Sequence, residues 1–174
     1  MRDLVLTIGY WLAIKVRVVL WWVLRPKAMG VRALVVREVE SGQVEVLLVR
    51  HRAGRDPWGL PGGGVEHNEP LTAAVLREVR EEAGCTAQIE RLHGLFYHFE
   101  GGFSNHITVF ACTASSPLQP PIGDLEIVTA RFFRLNALPH GIDPGSLQRV
   151  TELGCAKRDP IFGPWYDGTL QKKR

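Results

Sequence analysis

The sequence predicts an α/β domain built on a mixed β-sheet with helices against its faces. Three observations predict it. Short runs rich in β-branched residues recur along the chain and outnumber the helical patterns. The one strong helical pattern follows a hairpin and a glycine run, an order that sets helices on a sheet. The 174 residues are 45% hydrophobic and 22% charged, enough for one buried core without disulfide staples.

The elements follow in chain order. Residues 4–24 read LVLTIGYWLAIKVRVVLWWVL, close to the roughly 20 apolar residues of a membrane span. Lys15 and Arg17 interrupt this run, and a central charge costs about 2.5–3.5 kcal/mol on insertion scales. Three readings stand side by side: an apolar helix on or in the inner face of a membrane, a helix packed on the domain or a second subunit, and a strand. Pro26 closes the segment. Val31 to Val39 and Val44 to Arg50 are strands, joined through Ser41-Gly42 as a hairpin. Trp58 to Leu60 is a short extended piece, stopped by Pro61 and Gly62, Gly63 and Gly64. Leu71 to Ala83 is a helix, with Asn68 as its cap, Pro70 in its first turn and Gly84 at its stop. Ile89 to Phe99 and His106 to Thr113 are paired strands, Ile127 to Leu135 another, and Gly145 to Leu153 a closing helix. The expected organisation is an N-terminal segment at 1–27, the sheet domain at 28–155 and an extension at 156–174, whose Lys172-Lys173-Arg174 end is expected to be disordered.

The chemistry is concentrated in PGGGVEHNEPLTAAVLREVREEAGC, from Pro61 to Cys85. Glu78, Glu81 and Glu82 fall at i, i+3 and i+4 of the helix and share a face. Like charges so placed repel unless a cation sits among them, and an all-oxygen ligand set selects Mg²⁺, with Mn²⁺ as a substitute. Arg77 can pair with Glu81 four residues on. Val75, Val79 and Ala83 supply an apolar side for core packing. Glycines let backbone approach a ligand closely. Metal ions beside such a loop suit a substrate with two or more phosphates, whose charge they neutralise while activating water.

The stretch Gly63 to Cys85 resembles the Nudix box, Gly-x5-Glu-x7-Arg-Glu-U-x-Glu-Glu-x-Gly-U, with U a bulky apolar residue. Gly63, Glu69, Arg77-Glu78, Val79, Glu81-Glu82 and Gly84 match it, and Cys85 stands at the last U as a smaller residue. The likeness runs from about Val31 to about Leu153. It implies a Nudix-type α/β/α sandwich and hydrolysis of a nucleoside diphosphate linked to some group X. It also implies Glu78, Glu81 and Glu82 as metal ligands, the Gly62 carbonyl as a further one, and Glu69 as a loop holder or water-mediated ligand. Arg77 would orient the glutamates. The general base is a box glutamate or a later loop acid, Glu126 before Asp124. Gly62, Gly63 and Gly64 would contact substrate. Read from the residues alone, Arg50, His51 and Arg52 at the end of the second strand are either phosphate contacts, with Arg50 the substrate-binding candidate, or a solvated basic patch. Two rival readings share the fold: a non-catalytic sensor of diphosphate ligands, and an isomerase-type relative.

Other features exclude more than they assign. A net charge of +3, dispersed along the chain, gives no electrostatic footprint for nucleic acid. The three cysteines, Cys85, Cys112 and Cys155, show no metal-ligand spacing, and an odd count favours a reducing compartment. The expected location is the cytoplasm, with or without attachment to the inner membrane face through residues 4–24; a homodimer is one expected assembly. The proline that marks the ADP-ribose type falls here at Gly101, and the tyrosine of the diadenosine polyphosphate type at Gly102 or Phe103. Tyr97, Phe99, Phe103 and His106 are candidates for stacking on a base, and His67 for meeting a phosphate.

Overall fold

A computed structural model of the chain describes residues 27–39, 42–52, 58–100, 103–119, 126–154 and 159–168. The apolar segment 4–24, Asp124, Cys155, the Phe103 side chain and the C-terminal basic residues lie outside the described residues. The elements are β1 (Lys27–Glu38), β2 (Val44–His51), β3 (Trp58–Gly59), α1 (Leu71–Ala83), β4 (Ala87–Glu100), β5 (Phe103–Ala114), β6 (Ile127–Arg134), α2 (Pro144–Glu152) and β7 (Ile161–Pro164). They form one mixed sheet in the order β3-β2-β1-β5-β4-β7, with β6 on the other side of β2. β1 and β5 run parallel, as do β4 and β7, while the remaining pairs are antiparallel.

Strand alternation divides the core into two layers. Val31, Ala33, Val35, Leu47, Val49 and Cys112 pack against Ala74, Val75, Val79 and Ala83 of α1. Leu34, Val46, Leu48, Val109 and Phe96 face the other way, toward Ile142 and Val150 with Trp165 alongside. This is the α/β/α sandwich. The core strands are buried on both faces, so they read as continuous apolar runs rather than as alternation.

α1 occupies the predicted span, but its start is built differently. Pro70 is the N-cap, in extended conformation and with no side-chain cap bond. Asn68 instead adopts a left-handed φ of 59° and turns the chain ahead of the proline. Gly84 ends the helix with φ of 61°, and an added Cβ there would stand 1.8 Å from the Gln119 carbonyl oxygen. β4 and β5 are longer than expected, pairing from Ala87↔Ala114 to Glu100↔Phe103.

β7 was not anticipated. It lies within residues 156–174, pairs with β4 from Gly94↔Ile161 to Tyr97↔Pro164, and brings Trp165 onto α2. There Arg149 is 1% exposed, with its guanidinium 3.8 Å from the Phe96 ring centroid. Glu152 receives Arg149 Nη2 at 2.7 Å and lies 2.7 Å from His93 Nε2. Burial works against the Glu152 carboxylate, but the hydrogen bonds from His93 and Arg149 outweigh it and hold its pKa below the ordinary value.

Candidate active site

The site is made by a split in the sheet. β1 and β2 pair only from Val36↔Val46 to Glu38↔Val44. Beyond that they diverge, and the glycine run takes the place beside β1. Ala33 N–H donates to Pro61 O at 2.8 Å, Val31 N–H to Gly63 O at 3.0 Å, and Val65 N–H to Met29 O at 3.1 Å. The loop is therefore hydrogen-bonded as a strand would be, with Gly64 bridged to Gly30. Gly62 carries φ of +143°, and a Cβ on it would stand 2.1 Å from Val31 O, so only glycine fits. A Cβ on Gly63 would stand 2.6 Å from Glu78 Oε1, which brings the second glycine against the helix carboxylates.

Arg77 organises those carboxylates. Its Nε and Nη2 donate to the two oxygens of Glu69 at 2.8 and 2.9 Å. Its Nη1 donates to Glu78 at 2.8 Å and Glu81 at 3.0 Å, and its Nη2 also to Gly64 O at 3.1 Å. A planar fork of five donors can do this; an ammonium cannot. The Arg77 hydrogen bond, with a further one from Glu66 N–H, holds the Glu69 carboxyl down to about 2. The guanidinium pKa is raised in return, chiefly by Glu69.

Glu82 differs from its neighbours. It is 9% exposed and accepts Gly62 N–H at 2.8 Å. Burial pushes its carboxyl up to about 7; Glu78 and Glu126 add to the rise, against the Gly62 hydrogen bond and Arg32. The Gly62 carbonyl accepts from Arg32, whose Nη1 also donates to Leu60 O at 3.1 Å. Burial, followed by the charge of Arg32, lowers the pKa of His51; Glu126 opposes them. Arg52 N–H donates to Glu126 O at 2.8 Å, which ties the downstream acid to the end of β2.

The structure thus gathers Glu69, Arg77, Glu78, Glu81, Glu82 and the Gly62–Gly64 backbone, with Glu126 and His51 within electrostatic reach of the buried end. Arg50 is exposed on β2, paired with Trp58 and Thr129. Tyr97 and Phe99 stack at 4.9 Å, with His106 edge-on to Phe99, on the β4–β5 surface. His67 is exposed. The sequence reading missed Arg32. Its signal was there: a basic residue inside a two-sided apolar strand, on the face of buried Leu34, needs a partner there.

The donor chemistry fits a hard divalent cation: three carboxylates in adjacent turns of α1, one of them buried with its charge disfavoured. Among the described residues, no three His, Cys, Asp or Glu groups converge as a ready cage. The carboxylates are instead turned toward Arg77 and the Gly62 N–H. Among the described residues, too, no helix is long and apolar enough to cross a membrane.

The NUDIX domain model matches residues 27–153. The chain belongs to the NUDIX family. Within that family it is 41% identical over 69 residues to diphosphoinositol polyphosphate phosphohydrolase 2 of Rattus norvegicus, covering 40% of this chain and 38% of the relative. It is 48% identical over 52 residues to diphosphoinositol polyphosphate phosphohydrolase 3-alpha of Homo sapiens, covering 30% of this chain and 32% of the relative. The matches to these curated relatives thus span less than two fifths of their length. Among solved structures, the MutT NUDIX hydrolase from Burkholderia pseudomallei matches with a TM-score of 0.60 at 26% identity, covering 74% of this chain and 98% of that one. A NUDIX hydrolase from Nitrosomonas europaea shares the NUDIX fold with a TM-score of 0.62 at 24% identity, covering 78% and 94%.

Proposed function

We propose that the chain is a Mg²⁺-dependent pyrophosphohydrolase that cleaves a phosphoanhydride bond in a nucleoside diphosphate linked to X. The observation that supports this reading best is the ring of carboxylates held by one arginine against a sheet-like glycine run. In this reading Glu78, Glu81 and Glu82 hold the metal, with Glu69 and the Gly62 carbonyl completing the set, and Mn²⁺ can substitute. When bound, the ion neutralises phosphate charge and makes water a better nucleophile. The chain does the rest. Arg77 fixes the spacing of the glutamates. The Gly62–Gly64 backbone lies along the diphosphate. Glu126 is the base candidate that removes a proton from the attacking water, and Arg50 meets an outer phosphate.

Hydrolysis would be tested by phosphate release in Mg²⁺ over nucleoside triphosphates, nucleotide sugars, ADP-ribose, dinucleoside polyphosphates and a diphosphoinositol polyphosphate. Turnover that disappears with EDTA and in Glu81→Gln/Glu82→Gln supports the reading; full activity in that double variant refutes the site. The domain is read as cytoplasmic, with a homodimer as its assembly, and residues 4–24 as either an attachment to the inner membrane face, a helix packed on the domain or a second subunit, or a strand. Full-length protein that stays soluble without detergent at low salt would refute the attachment.

A further inference from the structure

Against the glycine run lies a cavity of about 250 Å³, opening between the first residues of β1 and β5. Gly63 lines it, and Gly63 also abuts the Glu78 carboxylate. A diphosphate lying along the glycine run with one end at the carboxylates therefore carries its substituent to this cavity. The volume is below the roughly 300–1,000 Å³ of sites that enclose a drug-sized ligand, so it suits a single ring and not a whole nucleotide.

The lining decides which ring. Among the described residues it holds one charged side chain, Arg32, whose Nη1 already donates to the Leu60 and Gly62 carbonyls. The rest is apolar (Ala28, Ile107), glycine backbone, and the amide of Asn105. A Cβ on Gly30 would stand 3.7 Å from Asn105 Oδ1, an ordinary contact distance, so that amide lies over the Gly30 backbone. A polyphosphorylated ring needs a cation or several N–H donors at each phosphate, and a buried anion without them loses its hydration uncompensated. A neutral ring bearing hydroxyls needs what is present: an amide that both donates and accepts, backbone groups, and an apolar wall.

We propose that this cavity holds the substituent X and selects a neutral, hydroxyl-bearing ring, as in a nucleoside diphosphate sugar, against a polyphosphorylated one, with Asn105 setting the choice. The inference rests on the carboxylate site being the diphosphate site. It sets this chain apart from the substrates named for its inositol-phosphate relatives.

Binding to the full chain in Mg²⁺ tests it by calorimetry, without any need for turnover. The probes are methylene-bridged UDP-glucose, methylene-bridged UDP and inositol hexakisphosphate. The wild type is expected to bind the sugar probe at least tenfold more tightly than inositol hexakisphosphate. Asn105→Leu is expected to weaken the sugar probe about tenfold while methylene-bridged UDP changes less than twofold. Tighter binding of inositol hexakisphosphate by the wild type overturns the inference. So does an equal response of the two UDP probes to Asn105→Leu. Failure of both UDP probes to bind wild type removes the diphosphate site itself, and the inference with it.

Discussion

Glu152→Gln tests the buried ion network under α2. The change keeps the side-chain shape but leaves the Arg149 guanidinium, 1% exposed, without its countercharge. Removing one partner of a buried pair costs about 3–5 kcal/mol. Two features reduce that here. Glu152 keeps 16% side-chain exposure. Arg149 also retains the face of Phe96 at 3.8 Å and the Trp165 carbonyl at 3.2 Å. A loss of about 2–3 kcal/mol remains, which for a chain of this size lowers Tm by about 4–12 °C. Thermal unfolding followed by circular dichroism at pH 7 measures it. The pH dependence has a fixed sign. The native carboxyl pKa lies below the ordinary 4.5, so its stabilisation is complete above that value and is lost as pH falls through the lower native pKa. The gap between wild type and variant should close in acid. A Tm change below about 1 °C at pH 7, less than the roughly 2–4 °C expected for a single kcal/mol, would refute the reasoning, as would a gap that widens below pH 4. Arg149→Met with Glu152→Leu should recover much of the loss, since both charges then leave together.

Three further outcomes follow from the site. Gly62→Ala must move the loop off β1, because its Cβ would lie 2.1 Å from Val31 O; phosphate release should fall at least about tenfold while far-UV circular dichroism is unchanged. Arg77→Lys loses the fork that spans Glu69, Glu78, Glu81 and Gly64, and Mn²⁺ affinity read by electron paramagnetic resonance should weaken about 10–100-fold; an unchanged affinity would show that Arg77 does not position the ligands. Truncation after residue 160 removes β7 and Trp165, so Tm should drop even though every box residue remains; an unchanged Tm would make the last strand an ornament of the sheet.

The legible parts of the fold were those fixed by local pattern. α1 follows from the spacing of Val75, Val79 and Ala83 and from Gly84, so its bounds were readable to the residue. Its N-cap was not, because the backbone turn at Asn68 and the ring of Pro70 replace a side-chain cap. β7 could not be read from IFGP alone: a glycine and a proline in four residues argue against a strand, and only pairing with β4 makes one. The carboxylate set was legible because its spacing is helical. The role of Arg32 was not, because it depends on how far β1 and β2 diverge, a property of the whole sheet.

That divergence has a dynamic consequence. Pro61 O and Gly63 O accept from β1 amides and Val65 N–H donates back to β1, so the glycine run is braced like a strand despite having the composition of a hinge. The amides of Val31, Ala33 and Val65 should then exchange with solvent water at the slow rate of the central sheet. A ligand meeting such a backbone has little chain motion to arrest, so the cost of ordering this loop drops out of the association, while the loss of the ligand's own freedom remains.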